Sequence, residues 1–307
     1  MKICRFGLAT LVLTLATGPS RAQEIGDLSE VIIHKTNPHE GEAPTAGSTG
    51  VQTPVITYHG GPVMMTPTAY LIWYGNWNQS NGSDTPGGQT IVKDFLHGLN
   101  GSPYYMTNAS YGSVSGNFTV GGTFTDKYSQ GSKLSDRKVA SIVGNAINSG
   151  ALPKDANGIY FVLTSSDVAE ISGFCSRYCA WHTYGTLSGT NIKYAFVGNA
   201  NRCLNACAAQ TTGPNGNAGV DGMVSVIAHE LEEANTDPNL NAWYDANGAE
   251  DADKCAWTFG QTLSQTNTGA YYNMTLPGLS VSSRHFLIQR ELADTSLCYV
   301  NYVTKAQ

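Results

Sequence analysis

From Pro54 onward, unbroken apolar runs alternate with stretches in which apolar residues recur every three or four positions. The runs predict strands, because a buried strand meets apolar neighbours on both faces, and the recurring positions predict helices with one inward stripe. "AYLIWYGNW" (69–77) reads as a strand, followed by a Gly/Ser/Asn loop and a helix over 90–99. "YGSVSGNFTVGGTFTDKYS" (111–129) alternates and turns like short strands or a hairpin. Val139, Ile142, Val143, Ala146 and Ile147 then fall on one helical stripe, with Ser135 placed to cap its start and Gly150 to stop it. "GIYFVLTSS" (158–166) predicts a buried strand, "CAWHTYG" (179–185) a shorter strand suited to an edge, and "IKYAFVGNA" (192–200) another strand. The last long periodic stretch, "DGMVSVIAHELEEANTDPNLNAWYD" (221–245), predicts a helix capped by Asp221 and ended before Pro238.

This order predicts an α/β (α+β) single domain, a mixed sheet with the last helix packed against it, an arrangement that also suits zinc-dependent peptidases of the zincin type. Fold alone does not license that chemistry. Residues 23–53 mix charge with Gly, Pro and Thr, show neither period, and predict a loose N-terminal arm before a domain over 54–307.

Residues 1–22 carry Lys2 and Arg5, an apolar core from Phe6 to Ala16 and small residues before the arm, which is the pattern of a cleaved signal peptide. Nothing downstream approaches the roughly 18 consecutive apolar residues of a membrane span. The expected place is therefore outside the cell. Loss of Cys4 with the leader leaves Cys175, Cys179, Cys203, Cys207, Cys255 and Cys298, an even set in an oxidising compartment. The spacing predicts local closure of each C-x3-C, Cys175 with Cys179 and Cys203 with Cys207, leaving Cys255 for Cys298; exchange between the two C-x3-C segments is the alternative. N-x-[ST] sequons stand at Asn78, Asn81, Asn100, Asn108, Asn117 and Asn273, and the crowding of five of them over 78–119 predicts a glycosylated surface there. With 17 Lys and Arg scattered singly and a net charge of −6, the chain has no basic footprint for nucleic acid or anionic lipid.

The predicted last helix carries the chemistry. Relative to Val224, the side chains of Ile227, Ala228 and Leu231 gather on one side and those of His229 and Glu233 on the other. A His and a carboxylate four residues apart can close on one metal ion, with Glu230 as general base to a water. Glu250 and Asp253, in "DANGAEDADKC" just before Cys255, can complete the shell. Zinc leads because an imidazole is present, while the oxygen-rich shell admits calcium or manganese. An EF-hand reading of the acidic turn fails, with Gly248 at the fourth position and no Glu at the twelfth. The bland reading is a charged helix face and an acidic turn, both solvated. In the metal reading Glu232 points away and is replaceable, and His182 and His285 read as hydrogen-bonded structural histidines. No nucleophile elbow, phosphate loop or dinucleotide fingerprint is present.

"YHGGPVM" (58–64), "YLIWYGNW" (70–77), "CAWH", "YAFVGNA", the HELEE helix, Glu250-x-x-Asp253-x-Cys255 and "RHFLIQ" (284–289) together resemble the EXORDIUM, or phosphate-induced, protein family, in order over roughly 54–300. The resemblance places the family's H-E-x-x-E on His229, Glu230 and Glu233 and its acidic pair on Glu250 and Asp253. It implies an extracellular, apoplastic protein associated with the cell wall and, in plants, linked to growth promotion. The chain departs from the plant pattern between Cys207 and Gly219 and at "SSRHF", which leaves room for a non-plant member. Two functions follow: a non-catalytic cell-wall protein whose metal or acidic cluster is structural, and a secreted metal-dependent hydrolase acting on extracellular protein. The expected partner is an extracellular protein or a cell-wall component.

Overall fold

A computed structural model describes residues 47–302. The leader and most of the expected arm lie outside the described residues; at the arm's end, Gln52 N–H donates to Ser296 C=O at 2.8 Å. In chain order the elements are β1 (Thr57–Tyr58), β2 (Thr68–Tyr74), α1 (Pro86–Leu99), β3 (Thr119–Asp126), β4 (Lys133–Leu134), α2 (Asp136–Asn148), β5 (Gly158–Thr164) and β6 (Ala169–Glu170). There follow β7 (Ala180–Leu187), β8 (Thr190–Val197), the single turn α3 (Leu204–Cys207), α4 (Ala218–Thr236) and β9 (Trp243–Tyr244).

The central sheet has five strands in the order β3-β2-β5-β8-β7. The first four are mutually parallel, and β7 runs antiparallel to β8 at the edge, so the sheet is mixed. β2 and β5 are buried almost throughout, which is why they read as unbroken apolar runs rather than as alternating ones. α4 lies against β7 and β8 and beside α1, as expected of the helix bearing the motif. β1 pairs with β9, and short hairpins occupy the C-terminal part, among them Met274–Leu276 with Arg284–Phe286. No helix of the described residues is long and apolar enough to cross a membrane.

Several expectations need correction. Of the two readings for 111–129, the short strand holds and the hairpin does not: β3 pairs in parallel with β2 at the edge of the sheet, where all its residues but Asp126 are exposed or half-buried. α1 begins at Pro86, four residues before the predicted start, with Thr85 Oγ1 accepting from Gly88 N–H at 3.0 Å; the Gly87-Gly88 pair hides a first turn that the Thr-Pro signal marks. The cap of α4 is Asn217, which accepts from Val220 N–H, while Asp221 inside the first turn accepts from Asn215.

The disulfides are Cys175–Cys203, Cys179–Cys207 and Cys255–Cys298, with Cα separations of 5.8, 5.5 and 5.7 Å. The local pairing is overturned in favour of the exchanged one. Cys203 and Cys207 bracket one helical turn, where residues four apart project from the same face, so both sulfurs meet the neighbouring 175–179 turn instead of each other. The two rungs fasten α3 to the segment that feeds β7.

Of the clustered sequons, Asn78, Asn81, Asn100 and Asn117 are exposed, but Asn108 is buried and its amide donates to Glu232. Glycan mapping of protein from a glycosylating host is therefore expected to find Asn108 bare. A glycan on Asn108 would mean that the 105–110 turn does not pack as described.

Candidate functional site

Asn217 starts α4 and Asp237 ends it, its N–H donating to Glu233 C=O at 2.7 Å before Pro238 forbids another turn. Between them every residue from Gly219 to Thr236 is buried. The bland reading of a solvated acidic helix is thereby excluded: the face opposite Ile227 and Leu231 is also covered, and its charges must be met inside the protein.

His229 and Glu233 stack one turn apart, as their spacing dictates, with His229 Nε2 2.9 Å from Glu233 Oε1. Asp253, on the turn before the Cys255–Cys298 bridge, brings Oδ1 within 3.7 Å of the same nitrogen. Glu250 lies near both, its N–H donating to Asp253 Oδ2 at 2.9 Å. The acidic turn is thus no solvated loop.

A further residue enters from the sheet. The register of β7 on β8 sets His182 opposite Ala195, and its Nδ1 lies 3.5 Å from Glu230 Oε2 and 3.5 Å from Glu233 Oε2. Its Nε2 is 3.7 Å from Glu250 Oε1. His182, expected as a hydrogen-bonded structural histidine, thus joins the cluster; the signal for it in the chain is its place on a predicted edge strand beside the motif helix. His285 does take the structural role, bonding Thr275 Oγ1 at 2.9 Å and stacking on Tyr272.

His182, His229, Glu230, Glu233 and Glu250 are each between 1% and 4% exposed, and the Asp253 side chain, at 9%, is the most open of the six. His182 Nε2, both nitrogens of His229, Glu233 Oε1 and Glu250 Oε1 have no hydrogen-bond partner. The 2.9 Å contact between His229 and Glu233 is short but off the ring N–H direction, so it leaves both atoms orphaned. Orphaned buried donors and acceptors of this kind are rare and costly, and here several gather along one flank of α4.

The electrostatics agree. Burial alone would hold both histidines below their ordinary value, but the carboxylates around them push each well above it, Glu250 first for His182 and Glu233 first for His229. Burial pushes Glu230 and Glu250 up, and Asp253 up to about 7. Glu233, facing both imidazoles, is held low against its own burial. Left to themselves, these groups can shed their negative charge only by taking up protons. A divalent cation is the other remedy.

Glu232 departs from the expectation attached to it. It points away from His229 as the helical turn requires, yet it is fully buried, accepts from the Asn108 amide and lies near Asp251 and Glu291, which are equally buried. It is not a replaceable surface acid.

Comparison with known proteins matches residues 56–298 to the phosphate-induced protein 1 conserved region. The Arabidopsis thaliana protein EXORDIUM-like 5 is 31% identical over 280 residues, covering 76% of this chain and 74% of the relative. EXORDIUM-like 3 of the same plant is 31% identical over 71% of this chain and 73% of its own length. PHOSPHATE-INDUCED 1 of Nicotiana tabacum is 27% identical over 71% of this chain and 80% of its own length. No solved structure matches.

Proposed function

Because the chain belongs to the family of the phosphate-induced protein 1 conserved region and the EXORDIUM-like proteins, we propose that it is an extracellular, cell-wall-type protein built around a divalent-metal centre of hydrolytic kind. In a plant source the reading extends to the growth-linked role that the family resemblance implies. The observation that carries the metal centre is the convergence of orphaned, buried imidazole nitrogens and carboxylate oxygens on one flank of α4.

His229, Glu233 and Asp253 would hold the ion, with Glu250 beside them. Zinc suits the imidazole, and the carboxylates also suit manganese or calcium. A bound divalent ion supplies Lewis acidity toward a carbonyl oxygen and toward water. Glu230, placed at the same face and pushed up by burial, accepts the proton that water gives up and returns it to a leaving amine. His182 Nδ1 fixes the Glu230 carboxylate, and Asp253 stands at the solvent side of the cluster. The helix-borne H-E-x-x-E beneath a mixed sheet with an antiparallel edge strand supports a zincin-type reading of the same site, with extracellular protein as its substrate. The burial of the other five residues favours a second reading, a closed, non-catalytic metal centre in a cell-wall protein.

Digestion of a broad peptide library by the purified mature protein separates the two. Cleavage abolished by a chelator and lowered about 10²- to 10⁴-fold by Glu230→Gln, with the ion at His229, Glu233 and Asp253 retained, is the expected result for the hydrolase. An intact library in the presence of metal-loaded protein selects the closed centre, and a protein that retains no metal sinks both readings.

A further inference from the structure

The two oxygens of Glu233 face different ways. Oε1 belongs with His229 Nε2, 2.9 Å away, and with Asp253 Oδ1, which is 3.7 Å from that nitrogen. Oε2 lies 3.5 Å from His182 Nδ1, and the same nitrogen is 3.5 Å from Glu230 Oε2. Within each set of three residues the ligand atoms lie within 4.8 Å of one another. Donors on one tetrahedral ion with bonds of roughly 2.0–2.1 Å stand about 3.4 Å apart, so each set has the spread of a metal shell.

Charge makes the same division. Glu230, Glu233, Glu250 and Asp253 bring four carboxylates to the two imidazoles, and among the described residues no lysine or arginine pairs with any of them. One divalent ion leaves half of that negative charge uncompensated in a buried volume; two ions neutralise it.

We propose that the chain holds two divalent cations side by side, bridged by the Glu233 carboxylate, with His182 and Glu230 forming the second subsite. This rests on the metal-centre reading above and deepens it. Glu250 Oε1, 3.7 Å from His182 Nε2, is the carboxylate that orients the ligating imidazole through its other nitrogen. Glu230 ligates through Oε2 and keeps Oε1 for a proton. Bridged pairs of this kind hold their ions about 3.5–4 Å apart, close enough for magnetic exchange.

The test uses the full mature chain, equilibrated with manganese and freed of loose metal. Elemental analysis is expected to give about two equivalents per wild-type chain and about one in His182→Ala, the number of subsites each retains. Electron paramagnetic resonance is expected to show an exchange-coupled signal in the wild type and the sextet of isolated manganese in the variant. About one equivalent with an uncoupled sextet in the wild type overturns the pair but leaves the single-ion centre of the proposed function. No retained metal, with manganese or with zinc, overturns both. The wild-type stoichiometry and spectrum decide the matter even if His182→Ala does not fold.

Discussion

Stripping divalent metal from the protein is expected to lower its melting temperature by about 10 °C, and Glu233→Ala is expected to erase that response. An ion that binds the folded chain at about a thousand times its dissociation constant stabilises it by about 4 kcal/mol, and a domain of this length loses about 2–4 °C per kcal/mol. His182, His229, Glu230, Glu233 and Glu250 sit at 1% to 4% exposure and the Asp253 side chain at 9%, so water can take up little of the charge that a departing ion would leave behind. Glu233 is the residue to remove because it alone reaches both histidines, through Oε1 to His229 and Oε2 to His182. Its loss should weaken metal binding by more than about 100-fold, beyond what loss of a residue that merely orients a ligand costs. Calorimetry of the wild type and variant, each with and without chelator, reads the outcome. A wild type that melts at one temperature regardless of chelator, while elemental analysis confirms that its metal has left, would return the cluster to a network of shared protons.

How much of this was legible in the sequence follows from how local each feature is. The i, i+4 stacking of His229 on Glu233 is fixed by helical geometry, and Asp253 is fastened nearby by a cysteine two positions on, so the clustering of these three side chains could be read from the chain. His182 could not. Its place depends on the antiparallel register of β7 on β8, a tertiary pairing that no local spacing encodes. The core strands were readable because burial on both faces leaves an unbroken apolar run, whereas β3, exposed on an edge, carries the same alternation as a hairpin arm. The C-x3-C pairs misled for a related reason: closeness in sequence says how near two sulfurs are, but the helical turn at 203–207 decides which way they point.

Burial was the least legible property of all. A stretch with Glu230, Glu232 and Glu233 within four residues has the composition of a wet helix, and nothing local shows that the 105–110 turn, β7 and the 237–255 segment enclose it. Hydrophobic periodicity finds the face that must be buried, and it is silent on polar faces buried for a purpose.

Glu232 tests that last point directly. Glu232→Ala is expected to destabilise the protein by about 2–4 kcal/mol, whereas Glu232→Gln is expected to stay within about 1 kcal/mol of the wild type, and both are expected to keep their metal. The carboxyl is fully buried and accepts from the Asn108 amide, so truncation to Ala leaves that amide only its bond to Tyr105 C=O at 3.3 Å and opens a hole in the packing around the 105–110 turn. Burial, and then the neighbouring Asp251, push its pKa well above the ordinary carboxylate range, which favours the neutral acid. Glutamine matches the shape and charge of that neutral acid and still offers an oxygen to Asn108. The metal is spared because Glu232 leaves the helix on the flank of Asn108, away from His229 and Glu233. Chemical denaturation of the three proteins with parallel elemental analysis settles it. An Ala variant as stable as the wild type would place Glu232 in solvent, and a Gln variant as damaged as Ala would show that the folded protein needs its charge.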